Sequence, residues 1–268
     1  MALQRVDQLT APIIERAHAH GVTLWALTDH DEVSGQQRAR TRAEALGMQY
    51  LSGVEISVTW AKKTVHIVGL GIDPENVTLR QGLRETRAGR AGRARRIGER
   101  LAKLGMPGAF EGARTFAGNP ELISRTHFAR FLVEAGHCPT TQSVFDHYLS
   151  DDGPAHEPMQ WAKLEDAVSW IQGSGGVAVI AHPGRYHYTP LQFGALFDTF
   201  KDVGGQAIEV ITGSHTVPQY QEYAQVARHY GFLASCGSDF HSAKESKIEF
   251  GSLPPLPADL KPVWQDLL

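Results

Sequence analysis

The strongest constraint on the fold is a set of short, nearly continuous apolar runs separated by helix-like stretches. They are VTLWAL (22–27), MQYLSG (around Tyr50), VHIVGL (65–70), VAVIA (177–181), AIEVI (207–211) and FLASC (232–236). A strand with one face in water alternates apolar and polar residues. Runs without that alternation need cover on both faces, as in a parallel sheet wrapped by helices or closed into a barrel. Segments 32–46, 162–172, 191–203 and 217–230 have the character of intervening helices. The repeated order strand, helix, strand predicts an α/β fold.

That order breaks off between residues 73 and 159, where strand-like runs vanish. An arginine-rich helix is expected over 79–104, then a loop carrying GMPG and GNPE, then helices near 127–135 and 141–149. The expected organisation is a barrel from 1–72 and 160–268, with 73–159 as a helical insertion. Arg80, Arg84, Arg87, Arg90, Arg93, Arg96 and Arg100 recur at steps of three and four residues. Such a stripe reads first as a solvated helix face and second as a phosphate- or RNA-facing one.

The chain has 268 residues, 42% hydrophobic and 21% charged, which excludes disorder as a whole-chain description. Its net charge of −3 excludes the field of a general nucleic-acid binder, so no duplex DNA partner is expected. Nothing points to a protein partner. Cys138 and Cys236 are too few for a disulfide framework, the N-terminus lacks an apolar stretch of signal-peptide length, and no run is long enough to span a membrane. A cytoplasmic protein is expected. The 13 histidines are numerous and unevenly placed.

Placed on the expected strands, the ligand-type residues fall into a pattern. Asp29 and His30 (TDHD) follow the first strand, Glu55 (GVE) the second, and His182 (AHPG) ends the fourth; Asp239 and His241 (GSDFH) follow the last, while His66 lies at the start of the third. In a β/α barrel, carboxyl ends of strands converge on one face. Each residue alone has a dull explanation: Asp29 as a helix cap, His66 as a core histidine, His182 as a turn residue. Together they would bury many ionisable groups at once, which is costly unless cations hold them. Imidazoles and carboxylates without thiolates suit zinc, manganese or iron, and several such ions together suit phosphoester hydrolysis.

TDHDEVSG, LSGVEISV, TVHIVGLGID, AVIAHPGRY and ASCGSDFH, in that order, closely resemble the motifs of the PHP (polymerase and histidinol phosphatase) family of metal-dependent phosphoesterases, across nearly the whole chain. NPELISRTHFARFLVEAG, ITGSHT and SLPPLP are similar to a bacterial subgroup that hydrolyses nucleoside 3′,5′-bisphosphates, related to a 5′-to-3′ exoribonuclease of short RNA. The resemblance implies a distorted (β/α)7 barrel, an inserted helical domain that caps the substrate, and up to three divalent ions, manganese, iron or zinc. It implies His30, Glu55, His66, His182, Asp239 and His241 as metal ligands, with Glu55 bridging and Asp29 and Asp31 orienting His30. It implies Arg125 and His127 of SRTHF as residues that reach the substrate phosphate, and Arg185 in the same role, since a guanidinium fork pairs two phosphate oxygens. His215 is the candidate for the nucleoside end. The substrate implied is a small nucleotide or the 5′ end of a short RNA. The alternatives are a small-molecule phosphatase of histidinol-phosphatase type and a catalytically impaired PHP-like domain that binds nucleotides.

Two stretches depart from the family pattern. Family members open on a strand with HxH followed by SDG, and this strand is not seen in the sequence. The HAH of His18 to His20 sits in a helix-like stretch, where residues two apart face nearly opposite ways and cannot grip one ion. Asp7 is the candidate for the missing carboxylate. In SDDGPAHEPMQW, Gly153 and Met159 stand where relatives carry Lys and His. The expectation is a weakened hydrolase.

Overall fold

The computed structural model describes residues 12–117, 123–150, 152–158, 161–241, 246 and 248–268. Asp7 and Met159 lie outside the described residues. The described residues fall into two compact units, one formed by residues 12–83 together with Ala162–Leu268, the other by Arg84–Trp161.

The first unit is a mixed α/β fold built on six strands: β1 (Leu24–Leu27), β2 (Gln49–Trp60), β3 (Lys63–Leu70), β4 (Val177–Ile180), β5 (Ala207–Thr212) and β6 (Leu233–Gly237). They pair in sequence order and form a curled sheet, half of a barrel, consistent with a PHP-like barrel. One face carries Val54, Ile56, Ile67, Ile180, Ile208 and Val210 into a core shared with the helices. The other carries Val68, Leu70, Val179, Ala181 and Ala207. Both faces are covered, as the unbroken apolar runs require.

The expectation of an all-parallel arrangement is corrected at β3. β1–β2, β4–β5 and β5–β6 are parallel, whereas β3 runs antiparallel to both β2 and β4. β2 continues to Trp60, well past its expected end, and returns through a two-residue turn with Ala61 at φ 44° and Lys62 at φ 63°. Two positive φ values are what a tight hairpin needs, and they normally draw Asn or Gly. With Ala and Lys there, the turn has no compositional mark.

A short helix α1 covers residues 12–19, and His18 and His20 lie exposed at its end. α2 (Gln36–Ala45) follows β1. Its buried Gln36 ties the ends of β1 and β2 together, donating to Leu27 O and Gly53 O and accepting from Tyr50 Oη and Gly53 N. α3 (Val77–Lys103) begins in this unit, where Leu79 and Leu83 enter the core.

The second unit holds the rest of α3, α4 (Ala109–Phe116), α5 (Arg125–Glu134), α6 (Thr141–Val144) and a π turn at Phe145–Leu149. Its own core includes Ile97, Leu101, Phe128, Leu132 and Leu149. α4 occupies part of the segment expected as a loop; Gly108 at φ 77° starts it without a side-chain cap, so no capping residue announces it. The arginine stripe of α3 is partly spent on one carboxylate. Arg96 Nε and Arg100 Nε reach Glu157 at 2.5 and 2.9 Å, and Arg93 Nε donates to the Glu157 carbonyl at 2.7 Å.

In the first unit, α7 (Leu164–Gly173), α8 (Pro190–Asp202) and α9 (Val217–Tyr230) complete the cover. Thr189 and Thr216 start α8 and α9 with capping boxes to Gln192 and Gln219. Among the described residues no helix is long and apolar enough to cross a membrane.

Candidate metal centre

The centre is organised around Glu55, whose side chain points to the same sheet face as Val68 and His66. Residue 55 pairs with Val68 and residue 57 with His66, so Glu55 and His66 are diagonal neighbours across the β2–β3 ladder. Because β3 is antiparallel, its beginning lies beside the carboxyl ends of β2 and β4. His30, just beyond β1, forms an isolated parallel bridge with Glu55, and His182 leaves the end of β4.

These four side chains meet. Glu55 Oε1 lies 2.8 Å from His66 Nδ1 and 3.1 Å from His182 Nε2, and those two nitrogens are 3.2 Å apart. Glu55 Oε2 is 3.6 Å from His30 Nδ1. Ligand atoms of His30, Glu55 and His66 all lie within 4.8 Å of one another. Burial alone would push the Glu55 carboxyl up. The charges of His30 and His66 and the hydrogen bonds from His182 and His66 overcome it and hold the group well below its ordinary range. For His182, burial pushes the imidazole down, but the hydrogen bond and charge of Glu55 raise it on balance.

The donor set fits a divalent ion. Ligand atoms at bonds of about 2.0–2.1 Å around a tetrahedral ion sit about 3.3 Å apart, close to the 2.8 to 3.2 Å separations here. His182 is buried, and its Nδ1 has no hydrogen-bond partner among the described residues. The chain supplies nitrogen and oxygen donors without thiolate, a set suited to zinc, manganese or iron.

Asp239 and His241 follow β6 and stand beside this group. The His241 ring is 6.0 Å from that of His30, and its Nδ1 is 3.0 Å from the Asp239 carbonyl. Asp239 Oδ2 accepts from Arg185 Nη1 at 3.1 Å. Asp31, His182 and Asp239 all have positive φ, at 53°, 29° and 51°. Strained backbone at non-glycine residues gathers where surrounding structure holds functional groups in place. Asp31 is fully buried; its N–H donates to Glu55 O at 2.8 Å, and its carboxylate accepts from Ser57 N at 2.8 Å and Ser57 Oγ at 3.0 Å. Asp29 O accepts from Glu55 N at 3.1 Å, while burial, with Glu32 adding to it, pushes the Asp29 carboxyl up to about 6.

The remaining expected site residues have these places. His215 is buried, and its Nε2 accepts from Gly184 N at 3.0 Å while Nδ1 lies 3.2 Å from Val210 O. A carbonyl only accepts, so Nδ1 carries the proton and both ring nitrogens hold backbone. Burial pushes this imidazole down to about 4. Arg125 and His127 open α5 in the helical unit. Arg125 Nη1 donates to Leu149 O at 3.0 Å at the end of the π turn, and His127 Nδ1 accepts from Ser124 N at 3.0 Å. Burial, with Arg130 and Arg90 nearby, lowers His127 to about 4. At Gly153 a Cβ would lie 2.4 Å from Tyr148 O, so the loop there excludes any side chain.

Two residues of the centre escape sequence reasoning. Glu209 on β5 accepts the His182 N–H at 2.6 Å. Burial, with Asp239 and Glu55 nearby, lifts its carboxyl to about 7 against the pull of His182. Its signal was the one acidic residue inside AIEVI. Tyr186 donates from its hydroxyl to Ala181 O at 2.9 Å and accepts from His66 N at 2.9 Å, joining the bases of two candidate ligands. No spacing rule marks it.

No protein-family model matches the chain. The sequence is 46% identical over 255 residues to a 3′,5′-nucleoside bisphosphate phosphatase of Chromobacterium violaceum, covering 95% of this chain and 90% of that one. It is 39% identical over 263 residues to a 5′-3′ exoribonuclease of Salmonella typhimurium, covering 97% of this chain and 89% of the relative. Among solved structures it is similar to a Bifidobacterium adolescentis protein classed as a metal-dependent phosphoesterase, with a TM-score of 0.77 at 26% identity, covering 96% of this chain and 88% of that one.

Proposed function

Because the chain belongs to the PHP family of metal-dependent phosphoesterases, we propose that it hydrolyses a phosphomonoester of a nucleotide, a nucleoside 3′,5′-bisphosphate. The observation that carries this reading is one buried carboxylate oxygen flanked by two imidazole nitrogens at 2.8 and 3.1 Å, within a chain so similar to a bisphosphate phosphatase. The exoribonuclease relative supports a second reading, the 5′ end of a short RNA. Both are 5′-phosphorylated substrates.

His30, Glu55, His66 and His182 would hold divalent cations, with Asp239 and His241 completing the ligand set. Manganese, iron and zinc all suit these donors. Such ions supply Lewis acidity toward phosphate oxygens and lower the pKa of water. The chain's own groups do the rest. Glu55 gathers the imidazoles, Asp31 and Asp29 fix the backbone on which Glu55 and His30 stand, and Arg185 presents a guanidinium beside Asp239 to pair phosphate oxygens. Arg125 and His127 are the further residues assigned to phosphate contacts. Two free cysteines fit a reducing, cytoplasmic setting.

Elemental analysis and turnover test the reading together. The purified protein should retain manganese, iron or zinc, and the double variant His182→Ala, Asp239→Ala should not. Phosphate release is then compared for a nucleoside 3′,5′-bisphosphate, a 5′-phosphorylated short RNA and histidinol phosphate, with the nucleotide substrates preferred. Equal metal content in parent and variant, or preference for histidinol phosphate, refutes it.

A further inference from the structure

We propose that Glu209 is a positioning residue that aims the His182 imidazole at the centre by gripping the His182 backbone. The proposal rests on reading His182 as a metal ligand. β4 and β5 pair in parallel with Ile180 opposite Ile208, so Glu209 sits one step further on, beside the point where the chain leaves β4. There Glu209 Oε2 accepts the His182 N–H at 2.6 Å. Room for the carboxylate comes from β6, where a Cβ on Gly237 would lie 3.2 Å from Glu209 Oε1.

Why a grip is needed follows from His182 itself. Its backbone holds φ 29° and ψ 55°, a conformation disfavoured for residues with a Cβ. A ligating imidazole is ordinarily oriented through its second nitrogen, which donates to a carboxylate or carbonyl. The His182 ring lacks that anchor: Nε2 faces Glu55 and His66, and Nδ1 is buried with no hydrogen-bond partner among the described residues. What remains to set the ring's direction is the main chain, and Glu209 is the side chain holding it. An acidic residue inside an otherwise apolar strand thereby acquires a purpose that burial alone would oppose.

The test uses the full-length protein freed of metal and titrated with Co²⁺, read by its visible d–d absorption, for the parent, Glu209→Ala and Glu209→Gln. Glu209→Ala should weaken Co²⁺ binding by about tenfold to a hundredfold and alter the d–d spectrum. Glu209→Gln keeps an acceptor oxygen for the His182 N–H and should recover most of the affinity. Parental affinity and spectrum in the alanine variant overturn the proposal. So does a glutamine variant as weak as the alanine one, since charge and not the backbone grip would then matter. If Glu209→Ala does not fold, Glu209→Asp, which withdraws the carboxylate by one methylene, takes its place with the same expected loss. Should the parent bind no Co²⁺, the proposed function fails, while ¹⁵N–¹H spectra of the His182 ring in metal-free protein still decide this inference. Ring signals that shift on Glu209→Ala and return with Glu209→Gln support it, and signals unchanged throughout refute it.

Discussion

His215→Gln is the perturbation whose size the structure defines best. The imidazole accepts from Gly184 N, donates to Val210 O and stacks on Tyr223 with ring centroids 4.7 Å apart. A glutamine replaces at most one of those hydrogen bonds and none of the stacking, so at pH 7 it should destabilise by about 2–4 kcal/mol. The pH dependence is sharper. Burial depresses the folded-state value to about 4 from an ordinary 6.5. Only the unfolded state therefore takes up a proton as pH falls from about 6.5 toward 4. The His215 contribution is fully present above that window and is lost on acidification through it. At pH 5 protonation favours the unfolded parent by roughly 2 kcal/mol, against almost nothing at pH 7. Glutamine does not titrate, so the stability gap between parent and variant should shrink by roughly 2 kcal/mol between pH 7 and pH 5. Urea denaturation of both proteins at the two pH values, followed by tryptophan fluorescence, measures this, and titrations common to both cancel in the difference. A gap that stays constant or widens at pH 5 would refute a buried, neutral His215.

Arg125→Ala should lower kcat/KM on a nucleoside bisphosphate by roughly ten- to more than a hundredfold, from loss of a charge-assisted contact of about 1.5–3 kcal/mol. Its bond to Leu149 O and its place over the Phe145 ring add a stability cost of about 1–2 kcal/mol, so steady-state kinetics alongside a melting curve separates the two roles, and unchanged kinetics refutes the assignment. Glu157→Ala leaves Arg96 and Arg100 facing each other without their carboxylate. It should destabilise the helical unit by about 1–3 kcal/mol, with the loss smaller in 1 M salt, where like charges are screened; thermal melts at two salt concentrations check it.

The strands and most helices were legible because burial on both faces leaves a compositional trace. VAVIA and AIEVI can be strands of a covered sheet and little else, and β4 and β5 fall there. Strand direction leaves no such trace. Nothing in TWAKKTV distinguishes a tight hairpin from a crossover, because Ala61 and Lys62 adopt positive φ without the residues that advertise it. Within the helical segment, α5 and the 141–149 region have caps and apolar spacing, whereas α4 starts at Gly108 without a side-chain cap and hid inside an expected loop.

Direction is also what decides whether the ligand pattern makes sense. His30 and His182 lie just beyond the carboxyl ends of β1 and β4, and Glu55 sits midway along β2 level with His30, but His66 sits in the first half of its own strand. In an all-parallel sheet with the starts of β2 and β3 level, His66 would stand beside Ser52, three residues or roughly 10 Å short of Glu55 at about 3.3 Å per residue. The His66 Nδ1 is instead 2.8 Å from Glu55 Oε1, because the reversed β3 sets His66 opposite Ser57. The hairpin and the metal centre are therefore one feature: the turn at Ala61–Lys62 carries no chemistry, yet it delivers the histidine. Read the other way, a ligand-type residue at the wrong end of a predicted parallel strand is itself evidence for reversal. Glu209 follows the same logic at finer scale. A carboxylate inside an apolar strand is costly without a polar partner, and the partner is the backbone of His182, a residue that adjoining strands bring close and sequence keeps 27 positions away.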